Sequence, residues 1–174
     1  GAGVIMDVRN GEVLAITSYP EYDNTLITNA ATKEEKSEVA EELTDKRQKF
    51  LDRAVSGLFV PGSTVKPFFA YAALEEGIID PETSISSSGA LVIENKYGGP
   101  DTVFRDWKKH GYVNMRQAIA ASSDEYFYQI GGGYKDQPGL GIKRLKEYAE
   151  KFGFATTSGI DLPGEEYGVI PSPE

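Results

Sequence analysis

The stretch FVPGSTVKPFF, Phe59 to Phe69, sets two prolines and a glycine around a serine and places a lysine three positions after it. An apolar run, PFFAYAAL, follows at once, with Val65, Phe68, Phe69, Ala72 and Ala73 at helical spacing. The spacing predicts a helix over 63–77, with Gly77 as its stop. Proline is tolerated only where its missing N–H finds no intrahelical partner, so Pro67 places the helix start close to Ser63. Pro61 and Gly62 supply the turn before it. Ser63 and Lys66 then share one face, within hydrogen-bond reach.

That pairing has a chemical reading. A serine hydroxyl is a weak nucleophile until a neighbouring base takes its proton. A lysine serves as that base where burial and neighbouring charge favour its neutral amine. A helix N-terminus adds free N–H groups and the positive end of the dipole, which favour negative charge on an attacked carbonyl oxygen. About one Ser-x-x-Lys match is expected by chance in a chain of this composition and length. A capping serine beside a surface lysine reads the tetrad as well. Its placement at a helix start, inside an apolar run, sets this one apart.

Outward from this stretch the chain reads as mixed α and β. Near the start, two apolar runs flank Arg9-Asn10-Gly11, a hairpin signal that predicts antiparallel strands over 3–8 and 12–18. The segment 21–30 is rich in turn residues. A highly charged segment, about 32–52, predicts one or two exposed helices, with Thr32 and Glu35 as a capping box. Residues 78–89 read as a loop leading to a strand and turn over 90–99; 104–113 is ambiguous. Helices over about 114–130 are broken by Ser122-Ser123-Asp124, and an amphipathic helix closes at Gly153.

The 174 residues carry a net charge of −9 and no cysteine. The length fits one domain with a sizeable core. The acidic balance argues against nucleic-acid partners. Without cysteine there is no disulfide, thiol nucleophile or thiolate metal site. No apolar run approaches the roughly 20 residues a membrane span needs.

Ser-x-x-Lys followed by a Ser-x-Asn-type element is the signature of serine β-lactamases and penicillin-binding proteins. The wider text is closer still. VIMDVRNGEVLAITSYPEYD resembles the opening hairpin of class B penicillin-binding protein transpeptidase domains, and DRAVSGLFVPGSTVKPFFAYAALEEGII resembles the segment around their nucleophile. WKKHGYVNMRQAIAASSDEYFYQI and KFGFATTSGIDLPGE are most similar to the elongation-specific type, penicillin-binding protein 2. Residues 24–51 match least.

The resemblance implies an α+β fold, an antiparallel sheet flanked by helices, with Ser63 at the start of a central buried helix. It implies that Ser63 is the acylated nucleophile, Lys66 its base, and Ser122 a proton shuttle to the departing amine. Asp124 stands where many relatives carry asparagine; an aspartate cannot donate an amide N–H to orient substrate. The implied reaction is acyl transfer on peptidoglycan stem peptides: D-alanine leaves a D-Ala–D-Ala end, and a neighbouring amine captures the acyl-enzyme. Penicillins and other β-lactams acylate the same serine. The implied setting is the extracytoplasmic face of a bacterial membrane, in an anchored parent working with cell-elongation membrane proteins, and no cofactor is implied.

The third family motif, Lys-Thr-Gly or Lys-Ser-Gly, does not occur. Lys109-His110-Gly111 stands in the wrong order, and Lys151-Phe152-Gly153 lies at a helix end. The expectation is therefore a partial transpeptidase domain, lacking its C-terminal part and inactive alone. A serine hydrolase or β-lactam sensor of the same fold, and a noncatalytic module, are the alternatives. His110, beside Asp106 and near Asp101, reads as solvated or structural. Some elongation-type relatives bind zinc in this region through a cysteine as well, and a site of that composition cannot form here. Trp107, Tyr126, Phe127 and Tyr128 read as core rather than ligand-stacking residues.

Overall fold

The computed structural model describes residues 1–172, which divide into two compact units. The first unit comprises residues 1–59 and 157–167. Its hairpin pairs β1 (Ala2–Met6) with β2 (Val13–Ser18), antiparallel, with a bulge between Ile5 and Met6. The loop is longer than a two-residue Asn-Gly turn. Gly11, at φ 81°, closes it with its N–H on Asp7 O at 2.8 Å, and Arg9 folds back onto the Asp7 carboxylate at 2.5 Å. The first strand thus stops at Met6 and leaves Val8 94% exposed.

The turn-rich segment contains a short helix, α1 (Asn24–Asn29), because the Asp23 carboxylate caps the N–H groups of Thr25 and Leu26. α2 (Lys33–Thr44) starts at a full capping box between Thr32 and Glu35 and buries no residue. It is the one α-helix of the charged segment among the described residues; turns follow, clipped by Lys49–Glu42 and Arg47–Asp45 ion pairs. Glu165 receives the Ser158 N–H at 2.5 Å, a turn-closing role.

The second unit, residues 60–156 and 168 onward, contains the main core. A 3₁₀ turn (Gly62–Val65) leads into α3 (Lys66–Glu75), with Pro67 in the first turn. β3 (Ile85–Ser87) pairs antiparallel with β6 (Gly111–Val113), and β4 (Ala90–Ile93) with β5 (Thr102–Arg105). β3 lies inside the stretch that reads as loop; three residues make a strand there only because β6 supplies the partner. Among the described residues the sheet structure is three separate two-stranded ladders.

α4 (Met115–Ala121), α5 (Asp124–Gly132) and α6 (Gly141–Lys151) complete the unit. α3 packs on both α5 and α6 through its small buried residues Ala70, Ala72 and Ala73. Tyr126 and Ile130 of α5 are fully buried among Ile79, Ile85, Val113 and Tyr148. The aromatic expectation holds for Tyr126 and fails for Trp107, which is 61% exposed, meets the His110 ring edge-to-face and lies under Lys108. Tyr128 is exposed too, and Phe127 half-buried.

Candidate active site

α3 and the α4–α5 junction place the candidate groups. Because α3 begins at Lys66, its side chain points from the first turn toward that junction and is buried, at 8% exposure. α4 ends when Ser122 takes a left-handed conformation, φ 52°. That conformation is unusual for a serine. It turns the chain so that both the carbonyl and the hydroxyl of Ser122 reach Lys66. Ser123 then caps α5, its hydroxyl accepting the Tyr126 N–H, and Asp124 is the first residue of the new helix.

Ser63, Lys66, Ser122 and Asp124 come together. Lys66 Nζ donates to Ser122 O at 2.8 Å, to Ser122 Oγ at 3.0 Å and to Asp124 Oδ1 at 2.5 Å. An ammonium has three donors, and it finds three acceptors here. Ser122 Oγ donates in turn to Ser63 Oγ at 2.8 Å. The expected direct contact between the Ser63 hydroxyl and the Lys66 amine is absent among the side-chain hydrogen bonds of the described residues; Ser122 Oγ stands between them. The lysine has left its helical neighbour for a carboxylate and a carbonyl, stronger acceptors than a hydroxyl. Phe127 covers the ammonium at 5.5 Å from its ring centre. Ser63 itself is exposed, in the 3₁₀ turn at the head of α3, open to a substrate.

Behind this group lies a polar cluster that sequence reasoning missed. The Asp106 side chain is fully buried. Its Oδ2 accepts from Ser123 Oγ at 2.8 Å, the Glu125 N–H at 3.0 Å and Ser87 Oγ at 3.3 Å; its Oδ1 accepts the Trp107 N–H at 2.8 Å. Burial pushes the Asp106 carboxyl up, but the Glu125 N–H, the Ser123 hydroxyl and the Asp124 and Trp107 N–H groups outweigh it and hold it down at about 2. No spacing rule flags this aspartate, because its partners lie 17 and 19 residues away across two elements.

His110 is not solvated: its side chain is 3% exposed, with Nε2 3.4 Å from Asp106 Oδ1. The residues here do not fit zinc. One histidine faces one carboxylate, whose other oxygen is taken by the Ser87 and Ser123 hydroxyls, and Asp101 is engaged by the Asn95 N–H at 3.0 Å. Zinc takes thiolate, imidazole and carboxylate. No three such residues stand close enough for a metal ion among the described residues.

Residues 1–174 match the penicillin binding protein transpeptidase domain throughout. The chain belongs to that family. It is 38% identical over 176 residues to the peptidoglycan D,D-transpeptidase MrdA of Acinetobacter baumannii, covering all of this chain and 24% of that protein. It superposes on penicillin-binding protein 2 of Pseudomonas aeruginosa, solved in complex with WCK 5153, with a TM-score of 0.79 and 32% identity, over 97% of this chain and 34% of that one. A complex between penicillin-binding protein 2 and MreC from Helicobacter pylori matches at the same TM-score, 0.79, and 32% identity, over 97% of this chain and 29% of that one. The α+β arrangement of small antiparallel ladders flanked by helices is thus that of a penicillin-binding protein 2 transpeptidase domain. The chain spans about a quarter of the length of its curated relative, 24%.

Proposed function

We propose that the protein carrying these residues is a serine D,D-transpeptidase that cross-links peptidoglycan stem peptides and is acylated by β-lactams. The observation that carries this reading is the hydrogen-bond chain from Lys66 through Ser122 to Ser63. The proposed cycle starts once the Lys66 ammonium has given a proton to solvent, so that the Ser63 hydroxyl turns to donate to Ser122 Oγ and Ser122 to the neutral amine. Ser63 Oγ attacks the carbonyl carbon of the penultimate D-alanine. Its proton passes to Ser122 Oγ, and the Ser122 proton passes to Lys66 Nζ. The positive end of α3 favours the oxyanion. The tetrahedral intermediate collapses by breaking the C–N bond, and Lys66 returns the proton through Ser122 to the leaving amine. An amine of a second strand then attacks the acyl ester, with the same relay running again, and Ser63 is regenerated. Asp124 holds the ammonium while it carries the proton.

The name of the Acinetobacter relative supports the substrate class, and the Helicobacter complex with MreC supports partners among cell-elongation proteins. Such a reaction belongs on the extracytoplasmic side of the membrane, with the parent anchored there. No helix of the described residues is long and apolar enough to cross a membrane.

The test is labelling with a fluorescent penicillin, made on the full-length protein because no Lys-Thr-Gly or Lys-Ser-Gly occurs in these residues. Peptide mapping is expected to find the label on Ser63, and Ser63→Ala to abolish it. A Ser63→Ala protein that labels like the wild type would overturn the reading. Rapid turnover of the β-lactam would favour the hydrolase alternative.

A further inference from the structure

We infer that Asp106 is a positioning residue for acyl transfer, a buried anionic anchor that sets where Ser122 and Asp124 meet Lys66. The inference rests on the transpeptidase reading above and extends it to a residue that never touches Ser63.

The geometry begins with the first turn of α5. An α-helix opens with N–H groups that lack internal partners. Here Ser123 Oγ takes the Tyr126 N–H and Asp106 Oδ2 takes the Glu125 N–H, while Ser123 donates its own proton to Asp106. Ser87, buried on β3, adds a bond to the same oxygen and lies 3.1 Å from Ser123 Oγ. One carboxylate oxygen therefore gathers donors from β3, from the cap of α5 and from its first turn. Its negative charge faces the positive end of α5.

A second tie doubles the first. The Asp106 N–H donates to Gly89 O at 3.0 Å, while the Gly89 N–H donates to the Glu125 carboxylate at 2.7 Å. Gly89, at φ 105°, takes a backbone shape that other residues rarely adopt. Asp106 and Glu125 thus clasp the same residue from opposite sides. Ser122 immediately precedes this clamped turn, and Asp124 lies inside it. Both touch Lys66. Asp106 thus fixes the turn that carries them, beside the local bonds of Ser122 N–H to Ile119 O and Ser123 N–H to Ala118 O, and a displacement of about 1 Å in such a constellation can cost about 100-fold in rate.

The test is acylation of the full-length protein by a fluorescent penicillin, with non-covalent binding, the acylation rate constant k2 and the labelled fraction measured separately. Asp106→Asn keeps the shape of the side chain but presents an acceptor-poor amide to the Ser123 and Glu125 donors. The expected result is a fall in k2 of about 10- to 100-fold, with the labelled fraction and the dissociation constant close to wild type. A wild-type k2 overturns the inference. So does a smaller labelled fraction whose members react at the wild-type rate, the signature of a structural role alone. Should Asp106→Asn fail to fold, Ser123→Ala is read instead, with its melting temperature as a control. A several-fold fall in k2 with the fold kept supports the anchor, and an unchanged k2 overturns it. Ser63→Ala separates the two readings: if it labels like wild type, the transpeptidase reading fails. If it is silent while Asp106→Asn keeps its k2, only the anchor fails.

Discussion

Lys66 Nζ lies 2.5 Å from Asp124 Oδ1, and this ion pair, not a bond to the Ser63 hydroxyl, holds the lysine side chain in place. An asparagine at 124 would still offer Lys66 one carbonyl oxygen, without the charge. An alanine would leave a buried donor unmet, which is the costlier change. The expected order of penicillin acylation rates is wild type, then Asp124→Asn within about tenfold, then Asp124→Ala lower by about another tenfold. Stopped-flow labelling checks it; an alanine variant as fast as the asparagine one would remove Asp124 from the mechanism.

Ser122 Oγ is the only hydrogen-bonded link between the side chains of Ser63 and Lys66 among the described residues. Ser122→Ala removes that link and leaves the Lys66 bonds to Ser122 O and Asp124. Acylation is expected to fall by about 100-fold or more, the range typical of a lost proton-transfer group. Urea unfolding should change little, because the residue is only half-buried and its backbone conformation is kept.

How far the chain is legible follows from which interactions are local. Asn10-Gly11 between apolar runs, the Thr32–Glu35 capping box and Pro67 near a helix start are short-range signals, and a hairpin, a capped helix and a helix entry stand there. β3 and β6 are three residues each, and each is defined only by its distant partner, so neither carries a pattern of its own. The same holds for the site. Ser63, Lys66, Ser122 and Asp124 are readable through motif and resemblance. The bridging position of Ser122 depends on a left-handed turn, and the Asp106 cluster on long-range packing. Trp107 shows the limit from the other side: aromatic character does not say which face of a three-dimensional turn a side chain will occupy.

Tyr126 is fully buried, and its hydroxyl has no hydrogen-bond partner among the described residues. Burial, with the charge of Asp80, pushes its phenol up to about 12. A buried unmet hydroxyl costs about 1–3 kcal/mol. Tyr126→Phe removes it with the ring packing intact, so the variant is expected to be as stable as wild type or more stable by about 1 kcal/mol. Chemical denaturation measures this; a clear loss of stability would reveal a partner for the hydroxyl.

Gly139 sits in the reversal between α5 and α6, where Leu140 donates its N–H to Ile130 O at 2.9 Å. A Cβ added there would collide with Gly133 N and lie 2.5 Å from Gly132 C, both backbone atoms that cannot swing aside. Gly139→Ala is expected to cost about 1–3 kcal/mol, as overpacking does, and to lower the melting temperature by several degrees. Gly132→Ala, whose added Cβ would meet nothing within 4 Å, is the control and should cost much less.

The Asp106 carboxyl has a pH signature of its own. Its pKa is lowered from 3.8 to about 2 in the folded chain, so the native state favours the ionised form more than the unfolded state does. Stability from this group is therefore fully present above about pH 4–5 and is lost as pH falls through 4 toward 2. The shift corresponds to about 2 kcal/mol. Asp106→Asn cannot ionise, so it lacks this titration. The stability gap between wild type and Asp106→Asn is expected to be constant from about pH 5 to 7 and to narrow by about 2 kcal/mol on acidification to pH 2–3. Urea unfolding at a series of pH values reads the gap directly, and subtracting the variant removes the contribution of every other carboxylate. A gap that stays constant down to pH 2 would mean that the Asp106 charge is not what holds the α5 turn.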